Sequence, residues 1–512
     1  MPHLSKVYSA EIDGLLARLV EVETDLHAGL HAFTIVGLAD KALNEAKERV
    51  SSALKNTGVR PPNKENRKIV VNLAPADLKK NGSHYDLSIA LGYLLATDQI
   101  KNIDLFDALI VGEVSFDGSL RPVDGALSIA KTTKASGKST LFLPKKNARE
   151  AALISGIEVY GVDSLKDLID HLEGVKKIIP TPPTLLENTE EYSNDALTID
   201  DIIGQESGKR ALMIAASGNH NLLLKGSPGS GKTMLASALL DLLPSPSLEE
   251  LIEILEIKSL LGELKDGDLT ALRPFRAPHH SASMAAIVGG GTTPKPGEIT
   301  GAHRGILFLD ELPEFDRRVL EALREPLESR EIRVARAGGT AHFPADFLFV
   351  AAMNPCPCGY FGDDEKPCVC PPYAVSRYMK KISGPLLDRL DLKLDVQRVK
   401  IRDLVKEKNN SEKNLPKIRA QIKNARARQN LRYASDKKTN SNISPTELDS
   451  LSPLGRQEKN LLEKLAEKSH LSARAFYKLK KIARTIADLE DSDIIKSDHL
   501  LEAFTYRLKS TE

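Results

Sequence analysis

Apolar runs about the length of a strand recur along the chain and stop near residue 400. Phe33-Thr34-Ile35-Val36 and residues 68–73, 108–112 and 140–144 read as buried strands, and Asp86 opens an apolar helical pattern. The pattern breaks at 178–183, where Pro180, Pro182 and Pro183 hold the chain extended, and the acidic stretch 187–191 has nothing to bury. These signals predict an α/β domain over 1–175 and a linker over 176–195. A second α/β segment follows over 196–398. From 399 to 512 the strand signal is lost. A strongly basic helical run at 415–432 and a polar loop at 434–442 lead to helices near 454–468, 472–489 and 497–508, the last with Ser497 as its N-cap. The expected fold class is therefore α/β with a helical domain at its end.

Charge and composition remove several functions. Lys and Arg total 71 against 70 for Asp and Glu, a net charge of +1 that excludes a tail-driven nucleic-acid binder but leaves a local basic patch open. Aromatic residues are 5% with no Trp, which argues against base-stacking platforms. No apolar run nears the ~20 residues of a bilayer span, and the first residues lack the layout of a secretion signal. The expectation is a cytoplasmic protein without a membrane partner. All four cysteines fall between 356 and 370, too close together for a disulfide framework, so they read first as a metal site.

The chemistry concentrates in the second segment. Leu222-Leu223-Leu224 runs into Gly226-Ser227-Pro228-Gly229-Ser230-Gly231-Lys232-Thr233 and then an apolar helix stopped by Pro244. This is G-x-x-x-x-G-K-[ST] in a strand–loop–helix setting: backbone N–H groups curl round a phosphate and the helix N-terminus adds positive charge. Lys232 would reach the β- and γ-phosphates of ATP, and the Thr233 hydroxyl would hold Mg²⁺. Gly305-Ile306-Leu307-Phe308-Leu309-Asp310-Glu311 is an apolar strand ending in two carboxylates, which assigns Asp310 to the Mg²⁺ and Glu311 to the attacking water. The bland alternatives are a glycine-rich turn and two solvated acids.

With both motifs present the chain resembles an AAA+ ATPase: a P-loop core with a helical lid. The resemblance implies that the segment containing Ile202 and Ile203 packs on adenine and that Asn354, after Ala351-Ala352-Met353, contacts the γ-phosphate or the lytic water. Leu386-Leu387-Asp388-Arg389 resembles the arginine-finger segment of MCM helicases and magnesium chelatases, and Leu471-Ser472-Ala473-Arg474 their sensor-2 helix, with Arg474 aimed at the γ-phosphate. A finger at Arg389 must reach a neighbour's nucleotide, which requires a ring, a homo-hexamer; otherwise Arg389 is a surface arginine. Phe275-Arg276-Ala277-Pro278-His279-His280, Gly289-Gly290-Gly291, Pro296-Gly297-Glu298-Ile299 and Asn354-Pro355-Cys356-Pro357-Cys358-Gly359 together resemble the ComM/YifB, magnesium-chelatase-like family over essentially the whole chain. That family implies a hexameric DNA helicase promoting branch migration in homologous recombination and natural transformation. A chelatase-type motor and an ATP-dependent protein remodeller are the alternatives.

Two insertions bear on DNA. Residues 264–299 carry too many Gly and Pro for a helix and resemble the helix-2 insert of MCM-like motors, with Lys295 as the basic residue. Residues 331–336 alternate like a strand, Gly338-Gly339 supplies a turn, and 340–343 return, forming a β-hairpin with Arg333 and Arg336. Such arginines suit sequence-independent phosphate contacts on branched or single-stranded DNA, or simply solvate a strand. The basic run Lys417–Arg432 has the same two readings, with a solvated helix face preferred.

Cys356-Pro357-Cys358 and Cys368-Val369-Cys370 pair thiolates at i and i+2, which suits one tetrahedral Zn²⁺. Free thiols and an iron–sulfur cluster are the alternatives. The first domain resembles the proteolytic domain of Lon proteases through Gly112-Glu113-Val114, Leu120-Arg121-Pro122-Val123-Asp124-Gly125 and Leu143-Pro144-Lys145-Lys146-Asn147. Lon's Ser–Lys dyad is missing: its positions fall on His84 and Leu127, with Ser83 one residue off and Lys131 a helical turn away. An inactive domain reused for subunit contacts or DNA is expected.

Overall fold

The computed structural model describes residues 4–37, 41–64, 66–101, 103–186, 197–264, 269, 272–291, 295–336, 339–363, 365–399 and 414–507. The first domain is built on two sheets. A long antiparallel hairpin, Leu4–Asp13 and Leu16–Ala28, continues through Arg67–Ala74 to Ala32–Val36, which joins in parallel. A three-stranded parallel sheet of Ala108–Ile110, Thr140–Pro144 and Glu158–Val162 lies beside it. Both sheets close over helices, among them Asp86–Ala96, buried along nearly its whole length, and Ala126–Ala135. The long hairpin was not legible in the sequence. Its second strand alternates buried positions with Glu21, Glu23 and Asp25, which dilute the apolar signal.

The proline-rich half of the expected linker is pinned rather than loose: the N–H groups of Thr181 and Thr184 donate to the carbonyls of Val159 and Ala152 (2.7 and 3.0 Å). The acidic stretch 187–191 lies outside the described residues.

The second α/β unit is a five-stranded all-parallel sheet. Its order is Phe275–Arg276, Ile306–Leu309, Leu348–Met353, Leu222–Gly226, Leu392–Val396. The inner strands are buried on both faces, which explains their unbroken apolar runs. The helix Lys232–Leu240 follows the fourth strand, Leu222–Gly226, as the motif requires.

Among the described residues the insert contains two helices of one turn, Met284–Val288 and Glu298–Gly301, and a small antiparallel pair, Gly289–Gly290 with Lys295–Pro296. The expectation of no helix there is thus corrected: Ser283 accepts the Ala286 N–H (3.2 Å), and one capped turn fits between the glycines. A helix the sequence reading passed over, Leu248–Leu260, joins the P-loop helix to the insert. Ser247 and Glu250 close its first turn as a capping box.

The C-terminal helices run Leu415–Tyr433, Pro445–Leu451, Arg456–Lys468, Ala473–Leu489 and Ser497–Thr505. The last starts one residue earlier than expected. Lys496 holds the N-cap position, its N–H donating to His499 Nδ1 (3.0 Å), while the Ser497 hydroxyl donates to Glu458 (3.1 Å). The basic helix is not a solvated face. Arg419 pairs with Asp241, Arg426 donates to the Ala216 carbonyl, Arg428 pairs with Asp493, and Arg432 binds the buried Asp488. These acids and carbonyls lie far away in sequence, so the local charge run gave no sign of them. Of the basic residues in that run, only Lys417 and Lys423 are exposed. No helix is long and apolar enough to cross a membrane among the described residues.

The two α/β units meet along Leu248–Leu260. Leu127 packs with Leu251 and Leu255, and Glu256 accepts from both Ser128 Oγ (3.1 Å) and Lys131 Nζ (2.5 Å).

Candidate functional site

The carboxyl end of the strand Leu222–Gly226 carries the loop from Gly226 to Thr233. Gly229 and Gly231 take φ of +78° and +91°, a region that L side chains rarely adopt, and so turn the loop back on itself ahead of the helix. Ser227, Ser230 and Lys232 are buried against the loop while Pro228 and Gly229 lie on its outer side. Lys232 Nζ donates to the Gly226 and Ser227 carbonyls (2.8 and 3.0 Å) and to Asn354 Oδ1 (3.2 Å). Burial lowers its pKa, opposed by Asp310 and Glu311. Thr233 Oγ1 donates to Asp310 Oδ2 (3.1 Å), the pairing expected of two groups that would share one Mg²⁺. Asp310 Oδ1 accepts the Glu311 N–H (2.9 Å), and Glu311 takes a left-handed φ of +52°. One end of the sheet thus gathers a cation, a hydroxyl, two carboxylates and an amide round a phosphate-shaped loop.

Three further groups join this cluster that the sequence reading did not assign. His280 Nδ1 lies 3.4 Å from Glu311 Oε2, so the conspicuous His279-His280 pair ends beside the second carboxylate. The Tyr378 hydroxyl accepts the Asn354 N–H, and burial pushes its pKa up. Gln205 Nε2 donates to the carbonyls of Ser230 (3.1 Å) and Gln397 (2.6 Å), clamping the loop to the edge strand. Each is legible only once the strands are ordered. Of the two residues expected at adenine, Ile202 belongs to the hydrophobic core at 5% exposure. Ile203 is half-buried.

Arg389 and Arg474 are not at this end. Asn221, which precedes the strand Leu222–Gly226, donates from Nδ2 to the Arg389 carbonyl (3.0 Å). Arg389 is therefore separated from the loop by the strand, roughly 16 Å at ~3.3 Å per residue. Its side chain is 6% exposed and its guanidinium pairs with Glu328, to which Arg474 also donates (3.1 Å). Asp391 pairs with Lys478 (2.7 Å), which with His220 holds its carboxyl well below the usual range despite burial. Arg389, Arg474, Asp391, Lys478 and His220 line a cavity of about 490 Å³.

The hairpin Glu331–Arg336 with Gly339–Pro344 pairs Arg333 with His342 and Arg336 with Gly339. Gly339 is thus a strand residue, and 337–338 lie outside the described residues. Arg333 is exposed, 3.8 Å from Glu325, and Lys295 is exposed in the insert's small pair. The strand Gly289–Gly290 lies against Glu331–Arg336, bringing the two basic segments side by side.

The four cysteine Sγ atoms lie within 4.8 Å of one another. Cys356 is 3.4 Å from Cys358 and 3.6 Å from Cys368, and Cys358 is 3.6 Å from Cys368. A tetrahedral ion with Zn–S of ~2.3 Å sets its sulfurs ~3.8 Å apart, so the donor set fits one such ion. The Cys358 and Cys370 N–H groups donate to the sulfurs of Cys370 and Cys368 (3.4 Å each), the bonding that thiolates receive.

In the first domain Ser83 Oγ bonds Glu113, His84 lies 3.6 Å from Glu11, Leu127 is buried, and Lys131 is held by Glu256. No lysine reaches Ser83 among the described residues.

Comparison with known proteins gives these groups a setting. Family models match at residues 198–404 (magnesium chelatase, subunit ChlI), 22–147 (subunit ChlI of Mg-chelatase) and 412–507 (magnesium chelatase, subunit ChlI C-terminal). The chain is 43% identical over 505 residues to the competence protein ComM of Haemophilus influenzae, covering 98% of this chain and 97% of that one. It is 42% identical over 506 residues to YifB of Escherichia coli, with the same coverage. The magnesium-chelatase 67 kDa subunit of Chlorobaculum parvum is 27% identical over 163 residues, 31% of this chain and 23% of that one. With a magnesium-chelatase AAA ATPase domain in its middle and similarity to ComM from end to end, this chain belongs to the ComM/YifB family of magnesium-chelatase-like proteins.

Proposed function

We propose that the chain is an ATP-driven hexameric ring motor that moves DNA, a helicase promoting branch migration in homologous recombination. The observation that carries this reading is the split of nucleotide-handling groups between opposite ends of one sheet: Lys232, Thr233, Asp310, Glu311 and Asn354 at one, Arg389 and Arg474 at the other. Such a chain completes its site only head to tail with a copy of itself, and a ring closes that contact. Lys232 and the loop amides hold the phosphates, leaving their present partners as ATP arrives. Thr233 and Asp310 would hold Mg²⁺, which would supply positive charge against the phosphates. Glu311 orients the water and takes its proton, Asn354 fixes the water's second side, and the neighbour's Arg389 and Arg474 meet the charge that develops on the γ-phosphate.

DNA is the favoured track because Lys295, Arg333 and Arg336 lie on adjoining hairpins and the ComM relative is a competence protein. The first domain, read as an inactive Lon-like fold, serves subunit contacts.

Steady-state ATP hydrolysis with and without branched DNA tests this. Stimulation by DNA is expected, abolished with all turnover by Glu311→Gln. Replacing Lys295, Arg333 and Arg336 together by Ala brings the ratio of rates with and without DNA to one. Hydrolysis indifferent to every DNA would sink the DNA reading and favour a protein client.

A further inference from the structure

The cysteine centre stands directly behind the phosphate loop. Asn354, which Lys232 touches, is two residues before Cys356, and the loop from Cys356 to Cys370 folds back over the outer side of Gly226–Thr233. Gly359, at φ +86°, passes so close that a Cβ there would stand 2.6 Å from Pro228 Cδ. Asp363, whose side chain is 5% exposed, accepts a hydrogen bond from the Ser227 hydroxyl. Arg398, leaving the edge strand, donates to the Pro228 carbonyl (3.0 Å), lies 3.6 Å from Asp363 and stacks over Tyr360 with its guanidinium 5.6 Å from the ring. The outward residues of the phosphate loop are thus held by a loop in which, among the described residues between 354 and 370, none belongs to a helix or strand. Something other than regular backbone bonding must hold it.

We infer that Cys356, Cys358, Cys368 and Cys370 bind one Zn²⁺, and that this metal braces the phosphate loop through Gly359, Asp363 and Arg398, so that metal occupancy sets nucleotide affinity. The donor set suits a single ion: the thiols are mutually closer than ligands on separate metal atoms of a cluster, and too far apart for disulfides of ~2.05 Å. With four thiolates the shell is closed and the metal's part is structural. Ordering the loop before nucleotide arrives lowers the conformational cost of binding, as outer-shell supports do elsewhere with effects of 10- to 100-fold.

The inference rests on reading Gly226–Thr233 as the ATP site, and the experiment separates the two. Zinc per chain and the Kd for a fluorescent ADP are measured on the full chain. The wild type is expected to hold about one zinc. Stripping it with a chelator should weaken ADP binding about tenfold or more, and added zinc should restore it. Asp363→Ala should keep zinc yet weaken ADP, because it cuts the brace and not the metal. Cys368→Ser with Cys370→Ser should lose both. Purified chain without zinc, or holding iron in its place, overturns the inference; so does stripped chain that binds ADP as tightly as before. Lys232→Ala is the separate check: retained zinc with lost ADP binding upholds the phosphate-loop reading, and unchanged ADP binding overturns that reading itself.

Discussion

Mixing two inactive variants tests the division of the site between subunits quantitatively. Lys232→Ala removes the cation that cradles phosphate, and Arg389→Ala removes the arginine at the other end of the sheet, one strand length away. In one chain these ends do not meet: Arg389 is turned to Glu328 and Arg474, and its backbone is tied to Asn221. Each variant alone should therefore be dead, the arginine being worth ~10³–10⁵ in rate where it acts as a finger. In an equal mixture that assembles at random, a junction is intact when an Arg389→Ala chain supplies the phosphate loop and a Lys232→Ala chain supplies the arginine. Each condition has a chance of one half, so about a quarter of junctions recover whatever the ring number. ATP hydrolysis by the mixture, after unfolding-free subunit exchange, should approach a quarter of the wild-type rate. A parallel mixture of wild type with Lys232→Ala reports how far a ring tolerates idle junctions. If the double mixture stays dead while that control retains its share, Arg389 does not act on a neighbour and the head-to-tail reading fails.

Other outcomes follow from the packing. Asp488 is fully buried and binds Arg432, Arg484 and Asn440; Asp488→Asn leaves two arginines without their charge partner and should cost about 3–5 kcal/mol, read as an early thermal transition in the helical domain. Leu127→Ala opens the seam with Leu251 and Leu255, and should cost about 2–5 kcal/mol, splitting one unfolding transition into two by calorimetry. Glu253 is held at a pKa of about 2, first by its hydrogen bond to His303 and then by Arg304, against 4.5 ordinarily. Because the folded value is depressed, its stabilisation is present above pH 4.5 and is lost as pH falls toward 2; Glu253→Gln should flatten an acid-unfolding curve in that window, and an unchanged curve would refute the assignment.

What was legible in the sequence was what is local. The P-loop, the strand ending in Asp310-Glu311, the hairpin at 331–344 and the cysteine pairs each declare themselves within a short stretch of chain. Relations between distant segments did not. Nothing in the spacing of Ser472-Ala473-Arg474 tells which end of the sheet the arginine occupies; strand order decides that. Residues 417–432 look solvated until Asp241, Asp488 and Asp493 arrive from elsewhere. Leu248–Leu260 escaped because it is apolar on more than one side, with Leu251 and Leu255 against the first domain and Ile254 and Ile257 also buried, so no single amphipathic stripe marks it. His280 sat in plain view, yet its partner Glu311 is 31 residues on.

Leu248–Leu260 also behaves as a lever. One face is fixed to the first domain by Leu127, Ser128 and Lys131. Its first turn reaches the helical domain through Glu249 and Lys437 (3.0 Å) and the core through Glu250 and Arg273 (2.8 Å). Its far end runs straight into the insert that carries Lys295. Thirteen residues make a rod about 20 Å long, so a tilt of about 10° sweeps its far end through about 3 Å, the size of a hydrogen bond made or broken. If the chain is the motor proposed above, the first domain sits where any stroke must push against it, and stiffening or loosening that seam would change the stroke.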